Sequence, residues 1–184
     1  MLRNTDRSWG APAKLMHWAV AALVLAQTAL GWAAVNWRLS PTKLDLFVWH
    51  KSTGMLILAL MLVRVAWRSV NPPPALPGDM SRLERHAAQA SHLALYLLGL
   101  ALPISGWIVA SAANVPFRWF WLVPVPAVVA PDKALAEVAA HMHLALFVAL
   151  SLLLVVHVAA ALRHHFLERD DVLLRMLPRR RGGT

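Results

Sequence analysis

Hydrophobic and polar positions sort along this chain into long blocks rather than short periods. Four apolar stretches, at about 15–35, 47–67, 92–113 and 142–165, alternate with segments that collect the prolines and charges. Each stretch is near the roughly 20 residues that a helix rising 1.5 Å per residue needs to cross a bilayer core. Backbone polar groups in lipid must pair within their own segment, so all four are predicted to be helices. An even number of spans puts both termini on one side. The expected fold is therefore all-α, an integral membrane four-helix transmembrane bundle in one domain over 1–184, with the lipid bilayer as its solvent.

Between the spans, Pro72, Pro73, Pro74 and Pro77 make 71–78 a stiff, extended connection leading into 79–91. The connection at about 114–140 mixes Trp119, Phe120 and Trp121 with Pro124 and Pro126, a composition suited to the headgroup interface. Residues 133–140 are expected to form a short helix ahead of the fourth span. The first stretch, preceded by Arg3, Arg7 and Lys14, exceeds the usual h-region of a secretory signal, about 7–15 residues, and is read as retained.

Composition sharpens this picture. Hydrophobic residues make up 59% of the 184 and charged residues 15%, which disfavours a disordered chain or an ordinary soluble enzyme. Cysteine is absent, so disulfides, iron–sulfur clusters, thiol catalysis and covalently attached c-type haem are excluded together. The net charge of +9 first suggests nucleic acid. Its distribution does not: Arg3, Arg7, Lys14, Arg64, Arg68, Arg82, Arg85 and six arginines from Arg163 to Arg181 fall on one side. Only Arg38, Lys43, Lys51, Arg118 and Lys133 fall on the other. The positive-inside rule puts both termini in the cytoplasm, and no nucleic-acid partner is expected. The run Arg179, Arg180, Arg181 reads as a solvated positive-inside tail, with contact to anionic lipid as the alternative.

The candidate chemistry lies in the nine histidines. His17, His50, His92, His143 and His157 sit in or at the ends of the spans, where ionisable side chains are costly and a functional role is the default expectation. The fourteen-residue interval between His143 and His157 is about 21 Å of helix and about 3.9 turns, so one face presents an imidazole near each membrane surface. His50 matches the depth of His143 on the outer side, and His17 matches His157 on the inner side. Two bis-histidine pairs in a four-helix bundle are what two stacked b-type haems require. Zinc fits less well, because ligands about 21 Å apart cannot share one ion and no cysteine or intramembrane carboxylate completes either pair. His141 lies about 200° around the helix from His143, so His143 is the expected ligand. Arg64, fourteen residues after His50, reaches the inner pair's depth, either to meet a haem propionate or to snorkel to the surface. Gly31, Gly54, Gly99 and Gly106 admit a macrocycle or tight helix packing.

These residues occur in motifs that resemble the bacterial cytochrome b561 family, most closely its superoxide oxidase branch. The motifs are KLMHW at 14–18, HKSTG at 50–54, VR at 63–64, His92 with LYLL at 95–98, and ALPISG at 101–106. His143, HVAAAL at 157–162 and LLRMLPR at 173–179 complete the set, which covers nearly the whole chain. The resemblance implies a multi-pass protein of the bacterial inner membrane with two haem b groups held by His17, His50, His143 and His157. It implies electrons taken from superoxide at the periplasmic face and passed to ubiquinone near the cytoplasmic face. His92 and His164 fall at inner positions suited to a quinone site, as hydrogen-bond donors or proton carriers. Tyr96 lies one turn from His92 on the same helix face. Steering of an anion depends on whether folding gathers Arg38, Lys43, Lys51 and Arg118. The alternative function is a di-haem electron-transfer subunit that relays electrons between a partner dehydrogenase or hydrogenase and the quinone pool. A membrane scaffold or transporter with structural histidines is the third reading.

Overall fold

The computed structural model describes residues 1–6, 8–78 and 80–177. Arg7 and the tail cations Arg179, Arg180 and Arg181 lie outside the described residues. Four long helices dominate: α1 (Ala11–Asn36), α2 (Pro41–Val70), α3 (Arg82–Ala112) and α4 (Lys133–Arg163). Each apolar stretch falls on one of them, 92–113 running one residue past α3 and 142–165 two residues past α4, and all four are long and apolar enough to span a membrane. With 26 to 31 residues each, they measure about 39–47 Å, longer than a hydrocarbon core of about 30 Å.

The extra turns come from capping signals that hydropathy does not register. Ser40 accepts from the Lys43 amide, with Pro41 opening α2. At α3, Ser81 and Glu84 form a reciprocal capping box at 3.2 and 3.1 Å. Asp132 accepts from the Leu135 amide at 3.0 Å and starts α4 at Lys133. The segment 133–140 is therefore not a separate short helix. It forms the first turns of α4, because a strong cap precedes it and nothing interrupts the backbone ladder before His143.

The close-packed pairs are α1 with α2, α2 with α3 and α3 with α4, and the pair α1–α4 is not among them. Val20, Ile57 and Met61 form the buried cluster between α1 and α2, and Leu100 and Tyr96 of α3 pack against it. Leu25, Leu62, Leu93, Leu97, Leu152 and Val155 point outward. Such side chains gain nothing by leaving lipid for protein, so dispersion contacts rather than water exclusion hold the helices together.

The residues before α1, the α2–α3 connection and the segment after α4 meet at one end. Asn4 donates to the carbonyls of Asn71 and Pro72 and accepts the Gly10 amide at 2.8 Å. Gly10 is required there, since a Cβ would run into the Leu2 carbonyl. Lys14 and Trp18 donate to the carbonyls of Leu177 and Met176, and Arg175 donates to that of Ala75. After α4 the chain makes a π-helical turn over His164–Glu168, then a short helix α5 (Val172–Met176).

The opposite end carries structure that composition did not predict. Within the aromatic connection, β1 (Arg118–Trp119) pairs antiparallel with β2 (Val123–Pro124). Its turn places Phe120 and Trp121 at φ 44° and 62°. Two successive left-handed residues suit the twist of a hairpin but are costly without glycine, about 1–3 kcal/mol each. Contacts with α2 hold them. The Phe120 amide donates to Ser52 Oγ at 2.8 Å, Trp119 Nε1 donates to the Ser52 carbonyl, and Trp49 stacks edge-on against both Phe120 and Trp121 at 5.4 Å.

Candidate functional site

The helix packing brings four of the sequence-predicted histidines together as two facing pairs. His50 of α2 faces His143 of α4 with ring centroids 6.4 Å apart and planes at 78°. His17 of α1 faces His157 of α4, also at 6.4 Å and at 64°. The first pair lies toward the hairpin end and the second toward the end where the segments before α1 and after α4 meet. His141 is exposed, so the half-buried His143 is the residue that turns to His50.

The surroundings of the two pairs differ. At the hairpin end, Ser105 Oγ lies 2.8 Å from His143 Nδ1 while donating to the Leu102 carbonyl at 2.7 Å. The hydroxyl proton is thus engaged, and Ser105 is left to accept the imidazole N–H. Gln27 donates to the His50 carbonyl at 2.8 Å and fixes the backbone that carries that ring. The Gln27 Oε1 and His50 Nδ1 atoms are buried without hydrogen-bond partners. Gly31 and Gly106 lie against the two rings: a Cβ on either would stand 2.9 Å from His50 Cε1 or 3.0 Å from His143 Cε1. Gly99, by contrast, meets Met61 and Gly54 lies beside Gln27, so those two serve helix packing.

The other pair lies among cations. Arg64 Nη2 is 2.9 Å from His17 Nδ1, and the guanidinium also lies over the Tyr96 ring at 5.2 Å. Arg68 occupies the same ring at 5.3 Å. Arg64 is therefore turned into the bundle instead of snorkelling along α2. His92 adds a third imidazole, its centroid 5.6 Å from that of His157. His164 stands apart, about two turns beyond His157, with its Nδ1 bound to Glu168 and Asp170.

Among the basic residues of the hairpin end, Lys43 caps the carbonyls of Val35 and Trp37, and Arg118 ties those of Trp121 and Leu122 within its own turn. Lys51 lies over the Phe117 ring at 5.3 Å, beside His50. Sequence reasoning missed Gln27, Ser52 and Ser105. Their signal was available as polar side chains inside apolar spans, where each needs a specific partner.

Known proteins resemble this chain in sequence. A family profile described as prokaryotic cytochrome b561 matches residues 8–179. The chain belongs to the prokaryotic cytochrome b561 family. Cytochrome b561 homolog 2 of Escherichia coli is 37% identical over 180 residues, 95% of this chain and 93% of that protein. The probable superoxide oxidase CybB of Yersinia pestis is 30% identical over 170 residues, covering 91% and 94%. Cytochrome b562 of Cereibacter sphaeroides is 30% identical over 171 residues, covering 88% and 90%.

Membership makes this cytochrome b561 a multi-pass membrane electron-transfer protein with b-type haem. The residues present fit that group. Each pair sets two imidazoles opposite each other with ring centroids 6.4 Å apart, a donor set that would hold a haem iron. Neutral imidazoles on facing helices supply the right donors. The glycines at 31 and 106 keep side chains off the ring edges.

Proposed function

We propose that this protein is a di-haem b cytochrome of the bacterial inner membrane that acts as a superoxide:ubiquinone oxidoreductase, with both chain ends in the cytoplasm. The observation that carries the reading is the pairing of His50 with His143 and of His17 with His157, each with centroids 6.4 Å apart. When bound, the haems supply one-electron redox chemistry. In the overall balance, two superoxide anions each give up one electron and leave as oxygen. One ubiquinone takes the two electrons and two protons and becomes the quinol.

The chain's own side chains orient and bind. His50 and His143 are held by Gln27 and Ser105 at the periplasmic end, where Lys51 offers a positive charge to an approaching anion. Toward the cytoplasm, Arg64 lies beside His17 and offers a guanidinium to a haem propionate. His92 and His164 supply imidazoles near the cytoplasmic face to hydrogen-bond a quinone carbonyl and to move protons. The positive-inside bias supports the orientation, and the superoxide assignment takes support from the name of the Yersinia relative.

The test is stopped-flow mixing of the purified oxidised protein with superoxide, followed by ubiquinone. Rapid haem reduction and quinone-dependent reoxidation are expected. Haem that superoxide leaves oxidised would replace this reading with a relay subunit for a partner dehydrogenase or hydrogenase. A protein without haem would overturn both.

A further inference from the structure

Where α4 ends, three side chains from a seven-residue stretch converge away from the histidine pairs. His164 Nδ1 is 2.5 Å from Glu168 Oε2 and 2.6 Å from Asp170 Oδ2. A ring nitrogen holds at most one proton, and that proton can serve only one of the two carboxylates well. A cation in its place serves all three atoms. The three donor atoms lie within 4.8 Å of one another, a spread that one ion with bonds of about 2.0–2.2 Å can draw together.

The far oxygen of each carboxylate is held by a group outside the trio. Glu168 Oε1 takes Arg163 Nη2 at 2.7 Å, and Asp170 Oδ1 takes the Val172 amide at 3.0 Å. With those atoms anchored, the near oxygens are aimed at the imidazole, the outer-layer support that metal ligands need. The backbone fixes the spacing. The π turn closes with the Arg169 amide on the His164 carbonyl, and the Asp170 amide reaches the same oxygen at 3.2 Å. Arg169 takes the left-handed conformation, φ 56°, that brings Asp170 back over the ring. The Arg163 guanidinium that pairs with Glu168 is shared with Glu84. The His164 side chain is 12% exposed and that of Glu168 31%, so an ion would be reached from the surface and keep solvent in its remaining positions.

From this we infer that Nδ1 of His164, with Glu168 and Asp170, forms a binding site for a first-row divalent cation just beyond α4, distinct from the histidine pairs and leaving Nε2 of His164 for the quinone contact proposed above. One imidazole nitrogen with two carboxylate oxygens suits borderline ions, and Zn2+ is the probe of choice.

The test is calorimetric titration of Zn2+ into chelator-stripped, haem-loaded protein in detergent, with a zinc-edge absorption spectrum of the product. The expected result is one ion per chain in a shell of one imidazole and several oxygens. Affinity should fall at least tenfold in H164Q and in D170N, where the Asn oxygen still accepts from Val172. It should be unchanged in H165Q. Should either variant fail to fold, judged by haem absorbance and melting temperature, E168Q takes its place. Equal affinity in wild type and the site variants overturns the proposal. So does binding abolished by H86Q, H141Q or H165Q instead, which would mark an adventitious surface ion only.

Discussion

Arg64 sets a guanidinium nitrogen 2.9 Å from Nδ1 of His17, and the same guanidinium lies over the Tyr96 ring, 5.2 Å from its centroid. A fixed cation so close to one histidine pair favours extra negative charge there. Arg64→Leu is expected to lower the reduction potential of the centre at His17 and His157 by on the order of 1 kcal/mol, tens of millivolts, and to leave the other centre unmoved. Redox titration of the haem absorbance bands reads both. Arg64→Lys should recover only part of the shift, since an ammonium keeps the charge and loses the guanidinium's contact with Tyr96.

The two pairs share no ligand, so they should be separable by mutation. His157→Ala is expected to remove the haem signal of one centre and His143→Ala that of the other, each cutting the pyridine haemochrome yield by about half. His141→Ala should leave the yield unchanged, because that side chain faces outward. Full haem content in His143→Ala would contradict the pairing.

Glycine at 31 is a steric requirement. In Gly31→Val the new Cβ would begin 2.9 Å from His50 Cε1, and the branches would press further into the ring. Moving a well-packed side chain this way costs about 1–3 kcal/mol. The expected outcome is a lower melting temperature together with loss of the haem next to His50 alone.

Ser52 tests how the hairpin is held. It is fully buried, and its hydroxyl takes the amide of the left-handed Phe120. Ser52→Ala leaves that N–H without a partner, a cost of about 1–3 kcal/mol. Limited proteolysis should then cut the 113–132 connection faster, while the helices and the pair at His17 and His157 remain intact.

How far these features could be read in advance varies with their physical origin. The four helices were legible because lipid imposes one simple demand on every residue of a span. The shared face of His143 and His157 was legible because both lie on one rigid helix, where fourteen residues fix the relative direction. Contacts between helices were not. Whether Arg64 meets His17 or the surface depends on how α1 and α2 are rotated against each other, and periodicity is silent on that rotation. Ser105 carries no sign of its imidazole partner until α3 packs on α4. The hairpin was hidden for a related reason: its strands are two residues long, and α2 rather than turn chemistry stabilises it.

The fourteen-residue separation of His143 and His157 also has an electrical meaning. About 21 Å of axial distance is roughly two-thirds of a hydrocarbon core. A unit charge carried from one of these depths to the other therefore falls through most of the transmembrane voltage. At about 2.3 kcal/mol per 100 mV for a full crossing, the work is about 1.6 kcal/mol per 100 mV. With haem held at both depths as proposed, an energised membrane of about 100 mV would tilt the balance between the two centres by about tenfold or more, without altering any contact in the protein.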